Sequence, residues 1–312
     1  FYLPGMTSEF AEAIADWRDT NGLMSLDYTA LGYPPKHAPF ETTDELRLVS
    51  SSTIEQLVGS DPNRNGVLDS SESDQSGSEQ FNPGALEYLT VYTREPNAHA
   101  DGSTLTNVNT QASLRTLLRS VFQRTRADQI MIQLGFRQGQ PAPNFNNLLR
   151  FYIQSGMTAD EFALIYNDIT TSTSNYFRNR INVNTANAAV LNALFLALGV
   201  DQMTASSAAQ QLIEYREQNS LTLTTVAWVA TALGNNSTVV QALARGNYIT
   251  TRSFQFTADI AAVGPHGRGY QRVKFIFDTS DGKPKILYRQ DLSRLGWALG
   301  NKTRENLIVK AP

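Results

Sequence analysis

Apolar and polar positions near the start of the chain predict short helices, a loop and a strand. Thr7 or Ser8 can cap the first helix. Its apolar residues recur at helical spacing: Phe10, Ala13, Ile14 and Trp17. Further along, the pattern predicts two short helices, over 44–49 and 53–58. A polar loop over 59–82 and a strand over 86–94 are predicted to follow.

Residues 107–246 have helical periodicity throughout and contain an internal repeat. The motif Asn-Val-Asn-Thr at 107–110 recurs at 182–185, each time before an apolar helix. A Met-Thr pair opens a helix three times, at Met6, Met157 and Met203. The pattern is that of two and a half copies of one helical unit, the first without its Asn-Val-Asn-Thr half. We therefore expect further residues before Phe1.

The hydrophobic period changes from 3.6 to 2 in the last part of the chain. Apolar residues alternate with polar ones in three runs: Phe254, Phe256, Ala258 and Ile260; Val273, Phe275 and Phe277; Ile286 and Tyr288. Turn sequences at 264–267 and 280–282 separate the runs. This pattern predicts a three-stranded antiparallel meander with one apolar face. Because such a sheet needs a cover, we expect a helix to pack on that face.

Taken together, these patterns predict an α+β fold in three consecutive segments. Residues 1–106 would hold a truncated first helical repeat, a loop region and a strand. Residues 107–246 would form a helical domain with two repeats, and residues 247–312 the meander and a tail.

Composition and charge exclude several classes of function. The chain has 312 residues, a net charge of −3 and no cysteine. Because the chain has no excess of basic residues, we do not expect it to bind the phosphate backbone of a nucleic acid. The absence of cysteine excludes disulfides, thiol catalysis and cysteine metal sites. No apolar run is long enough to span a membrane.

The sharpest motif is a candidate calcium loop over 61–72. Its oxygen-bearing side chains stand at loop positions 1, 3, 5, 9 and 12: Asp61, Asn63, Asn65, Asp69 and Glu72. Gly66 stands at position 6, where the chain turns sharply, and Val67 would offer its backbone carbonyl at position 7. Calcium is a hard ion that takes six to eight oxygen ligands, so the motif predicts calcium as a cofactor. The alternative is a solvated polar turn.

A second, weaker metal candidate lies at the end of the first helix and in the loop after it. Its residues are Asp16, Asp19, Asn21 and Asp27. Asp16 and Asp19 share a helix face at spacing i, i+3. The alternative is a charged helix end that water solvates.

Residues typical of catalysis are scarce, so no enzymatic activity is expected. The three histidines, His37, His99 and His266, all fall in predicted loops, and no nucleophile elbow, phosphate loop or zinc-binding helix pair is present. The repeats are similar to helix-hairpin-helix domains, some of which bind DNA. However, the hairpins at 154–157 and 199–203 are not basic. A protein-packing scaffold is therefore the preferred interpretation, and a nucleic-acid-binding protein is the alternative.

Short motifs spread over most of the chain resemble the minor pseudopilin K family (general secretion pathway protein K). They occur in the family's order: Leu3-Pro4-Gly5-Met6; Ala13-Ile14-Ala15-Asp16-Trp17-Arg18-Asp19; Pro34-Pro35-Lys36 with Pro39-Phe40; Asp44-Glu45-Leu46-Arg47-Leu48-Val49; Ile181-Asn182-Val183-Asn184-Thr185-Ala186; and Thr250-Thr251-Arg252-Ser253-Phe254.

This resemblance implies a pilin-like antiparallel sheet with a large helical domain inserted in it. It also implies a calcium-stabilised, non-enzymatic subunit at the tip of a type II secretion pseudopilus, with the minor pseudopilins I and J as partners. The family's N-terminal anchor helix is absent from the chain. A periplasmic domain held to the inner membrane through that helix is thus an expectation only. Family members bind calcium in the region that matches 16–72. A calcium-dependent enzyme remains a third possibility.

Overall fold

A computed structural model describes residues 1–22, 26–66, 82–137, 139–264 and 269–298. Within these ranges the chain mixes helices with small sheets, in agreement with the α+β class. The α-helices are α1 Ser8–Arg18, α2 Ile54–Val58, α3 Gln111–Val121, α4 Arg124–Gln133, α5 Leu148–Ser155, α6 Ala159–Ala163, α7 Ala188–Ala197, α8 Gln202–Gln218, α9 Ala227–Leu233 and α10 Thr238–Leu243. The strands are β1 Arg94–Pro96, β2 Thr106–Asn107, β3 Ile169–Thr170, β4 Tyr176–Arg178, β5 Ile181–Asn182, β6 Ile249–Thr250, β7 Gln255–Val263, β8 Tyr270–Asp278 and β9 Lys285–Asp291.

The chain divides into two compact units that interleave along the sequence. The first unit joins Phe1–Tyr92 with Gln255–Thr279 and Lys283–Pro312, and the second joins Thr93–Phe254 with Ser280–Gly282. The sheet β7–β9 therefore belongs with the N-terminal region, whereas the sequence predicts three consecutive segments with boundaries after residues 106 and 246.

The first unit is built on α1 and a cluster of apolar side chains. Thr7 caps α1, because its Oγ1 accepts a hydrogen bond from the Phe10 amide at 3.2 Å. Phe10, Ala13 and Trp17 bury the inner face of the helix. The predicted helix at 44–49 is a 3₁₀ helix, Thr43–Leu48, and the one at 53–58 is α2.

The predicted strand over 86–94 is wrong. Ala85–Glu87 form a 3₁₀ turn, residues 89–93 pair with no strand that the structure describes, and β1 begins only at Arg94. The sequence of this segment has the β-branched and aromatic composition of a strand. Strand propensity depends on a neighbouring strand to pair with, and the described part of the chain places none beside residues 89–93.

The strands β7, β8 and β9 form the predicted antiparallel meander. Phe256 lies opposite Phe277, and Phe275 lies opposite Arg289. One face, called the apolar face, carries Phe256, Ala258, Ile260, Val273, Phe275, Phe277 and Ile286, together with the charged residues Arg289 and Asp291 of β9. The other, called the polar face, carries Thr257, Asp259, Arg272, Lys274, Ile276, Tyr288 and Gln290.

The second unit is mainly helical, and its two Asn-Val-Asn-Thr motifs make matching hydrogen bonds. Each motif begins at the second residue of a two-residue strand in a parallel pair, β2 with β3 and β5 with β6. Asn109 Nδ2 donates to the Thr171 carbonyl at 3.3 Å, and Asn184 Nδ2 donates to the Thr251 carbonyl at 3.3 Å. In the part of the chain that the structure describes, no helix is both long and apolar enough to cross a membrane.

Candidate metal centre

The first half of the candidate calcium loop is folded around the carboxylate of Asp61. Asp61 is only 4% exposed. Its Oδ1 accepts a hydrogen bond from the Asn65 amide at 3.0 Å, and its Oδ2 accepts one from the Gly66 amide at 2.8 Å. The Asn65 amide also reaches Asn63 Oδ1 at 2.9 Å. Arg64 and Gly66 turn the chain with φ of 56° and 76°. The sequence-predicted residues Asp61, Asn63 and Asn65 are thus brought together.

The second half of the predicted loop, with Val67, Asp69 and Glu72, lies outside the described residues. The described half contains the carboxylate of Asp61 and the side-chain amides of Asn63 and Asn65, whose oxygens are of the type that a hard cation takes as ligands. No ion pair between Asp61 and a described cationic side chain occurs, so a bound cation could neutralise this buried charge.

Asp16 has a different environment from the other residues of the second candidate. It is fully buried, and neither of its carboxylate oxygens has a hydrogen-bond partner among the residues that the structure describes. Within the same residues, the neighbouring Trp17 Nε1 is also buried without a partner. A buried carboxylate without a partner is costly, typically by several kcal/mol. Asp16 is therefore a buried acidic residue without the hydrogen bonds that usually offset its burial.

The remaining members of this candidate are held in local turns. Asp19 Oδ1 accepts a hydrogen bond from the Asn21 amide at 3.0 Å. Asp27 is exposed, accepts from the Thr29 amide at 2.8 Å, and has a pKa lowered by its hydrogen bonds to Thr29. Among the described residues, no three His, Cys, Asp or Glu side chains form a group that could hold a metal. The structure thus does not gather Asp16, Asp19 and Asp27 into one site.

Arg272 lies beside the candidate site and was not predicted from the sequence. It lies on the polar face of the sheet and is 1% exposed. Its Nη1 donates to the Asn63 carbonyl at 2.6 Å, and its Nη2 donates to the Arg64 carbonyl at 2.6 Å and to Asp259 Oδ2 at 2.6 Å. The alternation in β8 indicated a charged face there, but not that the face packs on the loop.

A second set of contacts joins the loop region to the same face. Asp44 Oδ1 lies 3.3 Å from Arg64 Nη1, and Asp44 Oδ2 accepts a hydrogen bond from Gln290 Nε2 at 2.9 Å. A cavity of about 160 Å³ adjoins Asp61 and is lined also by Arg64, Asp259 and Lys274. Burial, and then the charge of Arg64, lowers the pKa of Lys274. Polar space is therefore present beside Asp61.

The hairpin between α7 and α8 was the candidate for phosphate binding. Gly199 has a φ of 83°, and Asp201 caps α8 by accepting from the Thr204 amide at 3.0 Å. These hydrogen bonds lower the pKa of Asp201, which keeps its carboxylate ionised. A negative charge thus occupies the helix N-terminus where a phosphate would bind.

A scan against protein-family models, a search of curated proteins and a search of solved structures found no significant match to this chain.

Proposed function

We propose that this chain is a non-enzymatic, calcium-stabilised, pilin-like subunit that resembles minor pseudopilin K and ends a type II secretion pseudopilus. The single observation that carries the proposal is the exposure of the apolar face of the sheet. Phe256, Ile260 and Ile286 are 50%, 53% and 59% exposed. The polar face, in contrast, is packed on the loop region through Arg272 and Asp44.

An apolar face of this kind favours a docking role. Burying a large apolar side chain contributes about 1.5–3 kcal/mol, so covering three half-exposed ones would contribute about 3 kcal/mol. Contiguous exposed apolar surface on a folded protein typically marks a site of interaction. The occupant that we propose is the N-terminal helix of a pilin-like subunit, as the family resemblance implies, with the minor pseudopilins I and J as neighbours.

The interleaved units support the position at the fibre tip. The second unit is inserted in the sequence between the N-terminal part of the first unit and its sheet. This is the order expected for a pilin-like sheet that carries an inserted helical domain. A bulky insertion would prevent the subunit from repeating within a narrow fibre, so it would terminate growth. On this view the domain acts in the periplasm, held to the inner membrane by the N-terminal helix.

Asn109 and Asn184 make matching hydrogen bonds, which support the interpretation that the second unit contains two helix-hairpin-helix-like repeats. We interpret these repeats as a packing scaffold. The acidic cap at Asp201 argues against the alternative, in which the hairpins bind a nucleic-acid backbone.

Light scattering on purified domains tests the proposal. Soluble domains of this protein and of the minor pseudopilins I and J from the same system would be mixed at tens of micromolar with calcium present. The proposal predicts a species with the summed mass of a 1:1:1 complex. Three unassociated monomers under these conditions would contradict it.

A further inference from the structure

The segment from the start of α3 to the end of α5, residues 111–155, is basic although the whole chain is acidic. It contains six arginines, one aspartate and no lysine, which is a net charge of +5, whereas the chain carries −3. Glu161 neutralises one of the six, Arg126, because its carboxylate accepts from Arg126 Nε at 2.8 Å and from Nη2 at 2.6 Å. Within the segment, the other five arginines have only Asp128 as a counter-charge.

Three of these arginines lie close together on the consecutive helices α3 and α4. Arg119 Nη2 lies 2.8 Å from Asp128 Oδ1, and Arg124 Nε lies 4.0 Å from Asp128 Oδ2. Arg115 stands one helical turn before Arg119, so both are on the same side of α3. The side chains of Arg119 and Arg124 are 38% and 82% exposed. We call Arg115, Arg119, Arg124 and Asp128 together the arginine surface.

The positive charge of the arginine surface is only partly neutralised. Its one carboxylate, that of Asp128, can balance only one of the three guanidiniums. In the part of the chain that the structure describes, Arg115 Nε is buried and has no hydrogen-bond partner. Arg124 begins α4, whose first turn carries no acidic residue, so its charge lies at the positive end of the helix dipole. An anionic group that approaches this surface would therefore be stabilised.

The geometry of the arginine surface suits the carboxylates of a protein. Asp128 already lies between Arg119 and Arg124, so the gap between these guanidiniums accepts a carboxylate. Arginine binds carboxylates through two parallel hydrogen bonds, which a lysine cannot do. Ile132, one turn after Asp128 on α4, is 57% exposed and adds apolar area of the kind that accompanies arginine in protein interfaces. Anionic membranes are typically bound by clusters of about four to eight basic residues, so three arginines favour a partner protein over a lipid surface.

We infer that the arginine surface docks an acidic segment of a partner protein, one that presents two or more neighbouring carboxylates. Carboxylates of the partner would bind Arg119 and Arg124 beside Asp128 or in its place. Asp128 thus lowers the affinity, because it competes for the same guanidiniums. The inference uses only residues of the second unit, and it holds whether or not the first unit binds calcium or docks through its sheet.

Fluorescence anisotropy with a labelled octaglutamate peptide, at about 50 mM salt, tests this inference. The wild-type chain should bind this peptide and should not bind a labelled octaglutamine peptide. Arg119→Gln combined with Arg124→Gln should weaken binding by about tenfold, the effect of losing two exposed ion pairs. Arg178→Gln combined with Arg245→Gln is the matched control, because it removes two exposed arginines outside 111–155, and it should change the affinity by less than about twofold.

Asp128→Asn separates a specific site from a general attraction between opposite charges. It frees both guanidiniums, so the peptide affinity should rise by about threefold. Glu217→Gln removes an exposed carboxylate of α8 and should leave the affinity unchanged. If the Arg119 and Arg124 double variant does not fold, the comparison of Asp128→Asn with Glu217→Gln decides.

Three results would overturn the inference. One is the absence of octaglutamate binding at up to about 1 mM wild-type chain. Another is an equal loss of affinity in the two double variants, since the attraction would then not be specific to the arginine surface. The third is binding to phosphatidylglycerol vesicles without binding to the peptide, which would assign the surface to a lipid.

Discussion

At the residue scale, the described part of the first unit buries three aspartates, Asp16, Asp61 and Asp278, and the first two belong to the metal candidates. Within the described residues, Asp61 accepts hydrogen bonds from backbone amides of its own loop, and neither carboxylate oxygen of Asp16 has a hydrogen-bond partner. Both groups are costly in a protein interior unless a positive charge approaches them. The sequence could predict the loop residues because they are consecutive and follow a known ligand spacing. Arg272 could not be predicted, since it reaches the loop only through the folded sheet.

Calcium should stabilise the chain through Asp61. A ligand that binds only the folded state contributes about 2.7 kcal/mol at 100 times its Kd. Millimolar calcium should therefore raise the melting temperature of chelator-treated protein, and Asp61→Ala should abolish the rise. Asp160→Ala, which removes an exposed carboxylate in the second unit, should keep it. The absence of any calcium-dependent shift in the wild type would contradict the prediction.

At the element scale, the helices and strands whose signals lie within their own sequence were predicted well. The cap and apolar stripe of α1 and the alternation of β7, β8 and β9 are local signals, and each corresponds to an observed element. The segment over 86–94 was mispredicted because strand formation depends on a partner that the sequence does not specify. The short parallel pairs of the second unit were also not foreseen, since only two residues in each strand take part.

Asn184 should be a stabilising residue of the second unit. Its Nδ2 donates to the Leu223 and Thr251 carbonyls, and its Oδ1 accepts from Trp228 Nε1 at 2.9 Å. Asn184→Ala leaves these groups without their partner, and we expect a loss of about 2 kcal/mol in the free energy of unfolding. Chemical denaturation measures the change. Asn236→Ala, at an exposed position, is the control and should change the free energy of unfolding by less than about 0.5 kcal/mol. Equal effects of the two substitutions would contradict a stabilising role for Asn184.

At the scale of the whole molecule, the interleaved units and the two unlike faces of the sheet are the main features. The sequence predicted the apolar face and its need for a cover, and the structure leaves Phe256 and Ile260 half-exposed there. It did not predict that Arg272, on the charged face, would be buried against the loop. That arrangement depends on long-range pairing of Arg272 with the loop, which no local pattern encodes.

The whole chain should not bind nucleic acid. Its net charge is −3, and Asp201 occupies one of the two candidate phosphate-binding hairpins. Gel shifts at about 50 mM salt, where phosphate contacts are strong, should remain negative up to tens of micromolar protein. Tight binding under these conditions would favour the helix-hairpin-helix alternative instead.

Thiol labelling on the two faces of β7 tests the docking proposal most directly, because the chain contains no cysteine of its own. Ile260→Cys would lie on the apolar face and Ala261→Cys on the opposite face, and both positions are exposed. Maleimide labelling rates would be measured for this chain alone and for the full-length protein assembled in membranes with the minor pseudopilins I and J. We predict that assembly slows labelling of Ile260→Cys at least about tenfold and leaves Ala261→Cys unchanged, since only the apolar face would be covered. Equal labelling of Ile260→Cys in the two states would contradict the account.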